Sequence, residues 1–369
     1  LAKILVIGDC HLGMSYPNNY QKWFDISREY FETFLIPFVE KEMCKDDMIV
    51  QLGDLFDNRS LIPIDILNYA QNIIERLSLI CPIHILVGNH DMFHKSTGDL
   101  NSLNVFRFMP NVFIYKRSTK IEFDGKKILM MPYIENKKEQ IQVLQYHSGC
   151  DYLFCHSDLN GAKMHLNSIA HKNKDKISED EFKGYKIVKT GHIHIQQKIK
   201  NIHFVGSIFE MDRNDMDNKK GILLMDVDTQ SEKFIENMIS PKFKKVYIQK
   251  AQDVDSLDSI STRDYIDLNI SNSLLMSNRK LRRKIEILLE TGNFSSVEYI
   301  DDISFESKDD TKTQKTLSHK EDDIENISSI TMDYENIIRD YIRDQVYSSD
   351  KVKNGIEREF DKIISLSKN

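Results

Sequence analysis

A chain of 369 residues, 40% of them hydrophobic, has room for about two or three domains. Its net charge of −7 is concentrated: between residues 301 and 326 nine acidic residues stand against four basic ones, so the remainder is near neutral and neither supports nor excludes a polyanionic substrate. No run approaches the ~18 uninterrupted apolar residues of a membrane span, and five cysteines without a C-x-x-C pair argue against a disulfide framework and for a reducing compartment.

The opening stretch, Leu1 to Ile7, leads into a strand with no charged leader, so a cytoplasmic location is expected, in the host cytoplasm if the chain is viral. Short runs apolar on both faces follow at Ile4–Ile7, Met48–Leu52, Ile83–Val87, Ile128–Met131, Tyr152–Phe154 and Ile187–Val188. Such runs suit the inner strands of a covered sheet. Between them, Tyr20–Met43 and Ile64–Leu79 have the apolar spacing of helices. Residues 1–240 therefore read as a layered α/β domain, in which ligands gather at the carboxyl ends of strands. A strand over 265–270, a helix over 278–290 and a strand over 296–300 predict a small α+β domain at 243–301. Residues 302–328 are polar and charged, which predicts a flexible linker. In the tail, 329–369, Ile330, Tyr334, Ile337, Ile338, Tyr341, Ile342 and Val346 form one helical stripe, and Ile356, Phe360, Ile363 and Ile364 a second. Two short helices need a surface to dock on.

Five polar motifs close apolar runs in the first domain: Asp9-Cys10-His11, Gly53-Asp54, Gly88-Asn89-His90-Asp91, His156 after Phe154-Cys155, and Gly191-His192-Ile193-His194. In an extended segment Asp9 and His11 point the same way and Cys10 points away. The same parity pairs His192 with His194, unless a loop splays them towards different ions. Asp54 can bridge two cations with its two oxygens, Asn89 adds a neutral oxygen, and His156 completes the set. Mixed imidazole, carboxylate and amide ligands favour manganese or iron over calcium, and no Cys-rich cage points to structural zinc. Two ions about 3.5–4 Å apart stabilise the attacking and leaving oxygens of an in-line displacement. His90 is the natural proton donor to the leaving group, with Asp91 holding its ring. His84, His147, His165, His171, His203 and His319 read as structural.

The motifs GDCHLG (Gly8–Gly13), QLGDLFDNR (Gln51–Arg59), LVGNHD (Leu86–Asp91), CHSDLNG (Cys155–Gly161) and TGHIH (Thr190–His194) resemble those of the calcineurin-like metallophosphoesterase superfamily. The continuation FVGSIFEMDRND (Phe204–Asp215) and a Lys-Gly step into a strand at Ile222–Asp226 resemble its SbcD-type DNA-repair nuclease branch, including the phage members. The resemblance implies a β-sandwich flanked by helices, with one divalent ion on Asp9, His11, Asp54 and His194 and another on Asp54, Asn89, His156 and His192. Manganese is the expected metal, with magnesium or iron as alternatives. The resemblance makes His90 the catalytic histidine and places Asp91 and Asp57 beside it. Cellular members often carry a histidine at the position of Asp57, and a carboxylate cannot take a cationic histidine's part near phosphate. It further implies a DNA-capping domain at 243–301 and a tail that binds an SbcC-type coiled-coil ABC ATPase, with Ile337, Ile338, Tyr341, Ile342 and Phe360 as contacts, in a complex containing a homodimer. Arg279, Lys280, Arg282, Arg283 and Lys284 are candidate DNA-backbone contacts. The expected activity is a manganese-dependent 3′→5′ exonuclease on duplex DNA and endonuclease on single strands. A phosphatase or cyclic-nucleotide phosphodiesterase on the same metal core is the alternative, and a metal-dead scaffold would lack ligands that are all here.

Overall fold

In the strand Lys3–Ile7 (β1), Ile4 and Val6 point one way and Leu5 and Ile7 the other, and all four are buried. A strand apolar on both faces needs cover on both. The computed structural model supplies it: Ile4 and Val6 pack against a second sheet, Leu5 and Ile7 against helices. The structure describes residues 2–300 except 17–19, 95–96, 167, 169–175, 251, 254–256, 258–260, 262 and 291–293. The linker and tail expected at 302–369, with Ile337, Ile338, Tyr341, Ile342 and Phe360, lie outside the described residues.

In chain order the further strands are β2 (Met48–Gln51), β3 (Ile83–Leu86), a hairpin of β4 (Met92–His94) and β5 (Thr97–Asn101), β6 (Val112–Tyr115), β7 (Thr119–Phe123), β8 (Lys126–Met131), β9 (Tyr152–His156), β10 (Ile187–Gly191), β11 (Gln197–Ile199), β12 (Ile202–Phe204), β13 (Gly221–Asp226), β14 (Glu232–Glu236), β15 (Phe243–Ile248), β16 (Tyr265–Ser271) and β17 (Phe294–Ile300). One six-stranded sheet runs β14-β13-β1-β2-β3-β6 and a second runs β11-β12-β10-β9-β8-β7. The first is parallel from β1 to β6 and antiparallel at its β13 and β14 margin, and the second is parallel at its centre and antiparallel at both margins. Ile4, Val6, Met48 and Val50 from the first sheet and Ile128, Met130, Tyr152 and Phe154 from the second fill the space between them.

Three helices, α1 (Tyr20–Tyr30), α2 (Ile36–Glu42) and α3 (Ile64–Ser78), bury Trp23, Val39 and Ile73 on the outer face of the first sheet, and α4 (Lys137–Tyr146) buries Leu144 on that of the second. The single helix expected over 20–43 is broken by a π turn at Phe31–Leu35. Pro37 has no N–H to give and its ring crowds the carbonyl four residues back; the wider turn, with Ile36 N–H bonded to Phe31 O, accommodates it.

A third, all-parallel sheet, β15-β16-β17, lies in the same compact unit. Ile266, Leu268 and Ile270 of β16 pack on Leu281 and Ile285 of α6 (Arg279–Glu290), which follows the short α5 (Asn272–Ser277). Tyr265 and Phe243 instead join the main core, where Tyr265 stacks on Trp23 at 5.6 Å between ring centroids.

Candidate metal centre

Asp9, Asp54 and Asn89 stand just past the carboxyl ends of β1, β2 and β3, while His156 and His192 end or follow β9 and β10, so both sheets of the sandwich deliver polar groups to one place. The local backbone is not the extended one expected at Asp9–His11. β1 stops at Ile7, and His11 takes φ +46°, with Cys10 N–H and His11 N–H both donating to Asp54 O at 3.0 Å. Asp9 and His11 therefore converge through a turn rather than through strand parity, and Cys10 drops into the helix-facing core. Asp54 (φ +53°) and His192 (φ +81°) are also left-handed. Each such non-glycine residue costs of order 1–3 kcal/mol, and such residues persist where the surroundings over-determine them. Two glycines allow the approach: a Cβ on Gly88 would lie 2.2 Å from Asp54 Oδ1, and one on Gly191 2.5 Å from Asp9 Oδ1.

Among the described residues three triples have ligand atoms within 4.8 Å of one another: Asp9, His11 and His194; Asp54, His156 and His192; and His11, Asp57 and His90. His192 and His194 thus go to different groups. Asp54 Oδ1 accepts from His90 N–H at 2.7 Å, and Oδ2 lies between His156 Nε2 at 3.3 Å and His11 Nε2 at 3.8 Å. Asn89 Oδ1 sits 2.9 Å from His156 Nε2 and 2.8 Å from His192 Nδ1. The Leu52 carbonyl, 2.8 Å from His156 Nδ1, accepts its proton and leaves Nε2 facing Asp54.

The donor set fits a divalent ion on its own terms. His11 is 5% exposed, and neither ring nitrogen makes a well-aligned hydrogen bond, the nearest acceptors being Asp57 Oδ1 3.2 Å from Nδ1 and Asp54 Oδ2 3.8 Å from Nε2. An imidazole left so is costly without a cation or water to satisfy it. Burial disfavours the His11 imidazolium, but Asp57, Asp54 and Asp9 outweigh burial and push its pKa up to about 9. Burial also opposes the charge on His156, and Asp54 and Asp9 push it up to about 9. Asp54 is held far below the usual carboxylate range, since His156, His11 and His90 overcome its burial. The carboxylates create a field that favours positive charge at these nitrogens.

The expected role of Asp91 is not what its contacts support. Its Oδ2 accepts from Asp54 N–H at 2.8 Å and Gly88 N–H at 2.9 Å, and its Oδ1 from Phe56 N–H at 3.3 Å. Asp91 ties the β2 and β3 loops together and does not orient the His90 ring. Burial first, and the charge of Asp54 second, push its carboxyl up to about 7. Asp57 does that work through its backbone: its carbonyl lies 2.7 Å from His90 Nδ1. The Asp57 carboxylate meanwhile sits 3.2 Å from His11 Nδ1. Burial, then the neighbouring His11, lower the pKa of His90.

Arg279, Lys280, Arg282 and Arg283 are exposed on α6, with Lys284 half-buried beside them. His84 is satisfied by Tyr115 Oη at 2.7 Å. Sequence reasoning missed Asp158, 3.4 Å from His192 Nε2, and Asp215, 3.7 Å from His194 Nδ1. Asp158 follows His156 by two residues, and Asp215 ends the Phe204–Asp215 motif, so both were in view without a stated task.

Residues 2–217 match the family model for calcineurin-like phosphoesterases. Exonuclease subunit 1 of Enterobacteria phage T4 is 28% identical over 246 residues, covering 64% of this chain and 68% of that one. Putative phosphoesterase 078R of Invertebrate iridescent virus 3 is 30% identical over 222 residues, covering 56% of this chain and 57% of that one. Of solved structures, the 5′-nucleotidase precursor from Thermus thermophilus aligns with 65% of this chain and 56% of that one, at 11% identity and a TM-score of 0.33. The family match takes in every polar group from Asp9 to Asp215 that meets at the strand ends, and the chain belongs to the calcineurin-like phosphoesterases, a family that uses divalent metals.

Proposed function

We propose that this chain is the nuclease subunit of a DNA recombination and repair complex, a two-metal phosphodiesterase that prefers manganese. The observation that carries the reading is Asp54, whose Oδ2 faces His156 on one side and His11 on the other, so that two ligand groups share one carboxylate. Asp9, His11, Asp54 and His194 would hold one ion, and Asp54, Asn89, His156 and His192 the other. When bound, two such ions supply Lewis acidity to a phosphodiester and to water. His90 donates its Nδ1 proton to the Asp57 carbonyl, so Nε2 is the free ring atom, and it is the imidazolium form that would give its Nε2 proton to the departing oxygen. A cleft of about 660 Å³ opens from His11, His90 and His194 towards Tyr16, Arg213 and Asn214, giving a polymer a path past the centre.

The phage relative's name, an exonuclease subunit, favours DNA over a small ester. In this reading residues 1–240 cut and residues 243–301 cap the DNA. Residues 302–328 link to a tail, 329–369, that binds an SbcC-type ABC ATPase, with two copies of the chain in the complex. The exposed basic face of α6 follows the phosphate backbone. Neutralising Arg279, Lys280 and Arg283 together is expected to weaken DNA binding and to flatten its dependence on salt; an unchanged slope removes that face from the DNA path.

The deciding experiment compares end-labelled duplex DNA with a chromogenic bis-phosphodiester, each with manganese, magnesium and EDTA. Manganese-dependent shortening of the duplex is the expected result. Hydrolysis of the small ester alone, persisting when the ATPase is added, would move the assignment to a phosphodiesterase.

A further inference from the structure

The two histidines of Gly191-His192-Ile193-His194 share an arrangement that the ligand set does not require. Each turns one ring nitrogen inward and the other towards a carboxylate, and each carboxylate is held by a lysine. His192 directs Nδ1 to Asn89 and has Asp158 Oδ2 3.4 Å from Nε2; Lys176 Nζ donates to Asp158 Oδ1 at 2.9 Å. His194 directs Nε2 to Asp9 Oδ2 at 3.7 Å and has Asp215 Oδ2 3.7 Å from Nδ1; Lys220 Nζ donates to Asp215 Oδ1 at 2.7 Å. A carboxylate behind an imidazole fixes which nitrogen carries the proton and raises the basicity of the other.

The supports differ in rigidity. Lys220 is 1% exposed, and besides Asp215 it donates to the His194 carbonyl at 2.8 Å and to Ser207 Oγ at 2.9 Å. Asp215 Oδ2 also accepts from Met211 N–H at 3.0 Å. The backbone of His194 is thus hydrogen-bonded to an enclosed network, and its ring, 29% exposed, lies within ion-pair reach of the Asp215 carboxylate in that network. Behind His192, the side chains of Asp158 and Lys176 are 32% and 30% exposed, so water competes for that pair.

We infer that Asp158 and Asp215 are positioning residues for His192 and His194, and that the unequal burial of their lysine pairs makes the ion on the His192 side the more weakly held of two. The inference rests on the two-metal reading, not on DNA as substrate. A supporting carboxylate contributes about 10–100-fold in metal affinity.

The test is a manganese titration of the full chain, followed calorimetrically and by the electron paramagnetic resonance of bound manganese, without nucleic acid. The wild type is expected to bind two ions in unequal steps. Asp158→Asn, at a half-exposed position, should weaken the looser step about 10–100-fold and leave the tighter one in place. Asp215→Asn should weaken the tighter step. Should the amide leave Lys220 too poorly paired for folding, Asp215→Asn with Lys220→Met removes both buried charges. Two wild-type binding constants in Asp158→Asn, or a loss confined to its tighter step, would overturn the inference and leave the two-metal reading intact. A wild-type chain that binds fewer than two ions would sink both. Binding as expected without DNA cleavage would fault only the nuclease assignment.

Discussion

Asp54 and His90 lie side by side in the centre but differ in what their removal should cost. The Asp54 carboxylate stands between His11 and His156 and accepts the His90 amide, so Asp54→Ala is expected to abolish manganese binding and cleavage together. His90→Asn keeps that backbone amide. It should bind manganese normally while kcat falls by about 10²–10⁴, the usual range for a lost general acid. Calorimetry beside single-turnover cleavage separates the two, and equal metal loss in both variants would show that His90 is a ligand. The residue types at these positions were plain in the sequence, because strand ends that carry Asp, Asn and His in place of apolar residues have no packing reason to do so. The conformations were not legible. Nothing in Asp-Cys-His announces that His11 takes φ +46°, and the amides that occupy Asp91 come from Asp54, Phe56 and Gly88, brought near by the fold and not by any local pattern.

Between elements, the two sheets are joined by a polar cluster as well as by apolar packing. Lys189 of β10 is buried and donates to Glu232 of β14, and its Nζ lies 3.1 Å from His203 Nδ1 of β12. His203 first, with burial opposing and Lys189 adding, holds the Glu232 carboxyl well below its usual range. A depressed carboxyl contributes stability that is present above its unfolded pKa and is lost as pH falls through the folded one. Glu232→Gln should therefore be less stable than wild type by about 2 kcal/mol at pH 7, and the gap should close as pH falls below about 4. Urea unfolding at a series of pH values reads this directly; a gap constant across the range would mean that Glu232 contributes shape and not charge. The inner strands were readable because both of their faces are buried. The outer ones, β7 (TKIEF) and β14 (EKFIE), were not: a margin strand with one wet face alternates with charged residues and looks like a loop.

For the whole molecule, the third sheet is fastened to the core by Tyr265 on Trp23, by Phe243 stacked on Tyr265 at 5.0 Å, and by Arg213, whose Nη2 donates to Asp267 at 2.6 Å while it also bonds Tyr16. The three ligand groups of the metal centre lie between Asp9 and His194. Ending the chain at Asn326 should accordingly leave basal nuclease activity within about twofold of the full chain and abolish capture of the ATPase subunit. A pull-down with that subunit checks this, and retained binding would refute the tail's assignment. The strand over 265–270 and the helix over 278–290 were visible in the sequence. That Phe243 and Tyr265 belong to the main core was not, since an aromatic residue at the start of a strand carries no label for the layer it joins.

Order of synthesis adds a further consequence. β1 is made before the other described strands but lies inside its sheet between β13 and β2, and Asp9 receives the His192 amide from 183 positions downstream. At about 5–20 residues per second, Asp9 and His11 leave the ribosome roughly 10–40 s before His192 and His194. Through that interval the nascent chain has a single flank of β1 to pair and only part of each ligand group. Both ligand groups are therefore complete only once His194 has been made, a little over half way along the 369 residues, so full metal loading follows the inner strands of the sandwich and does not precede them.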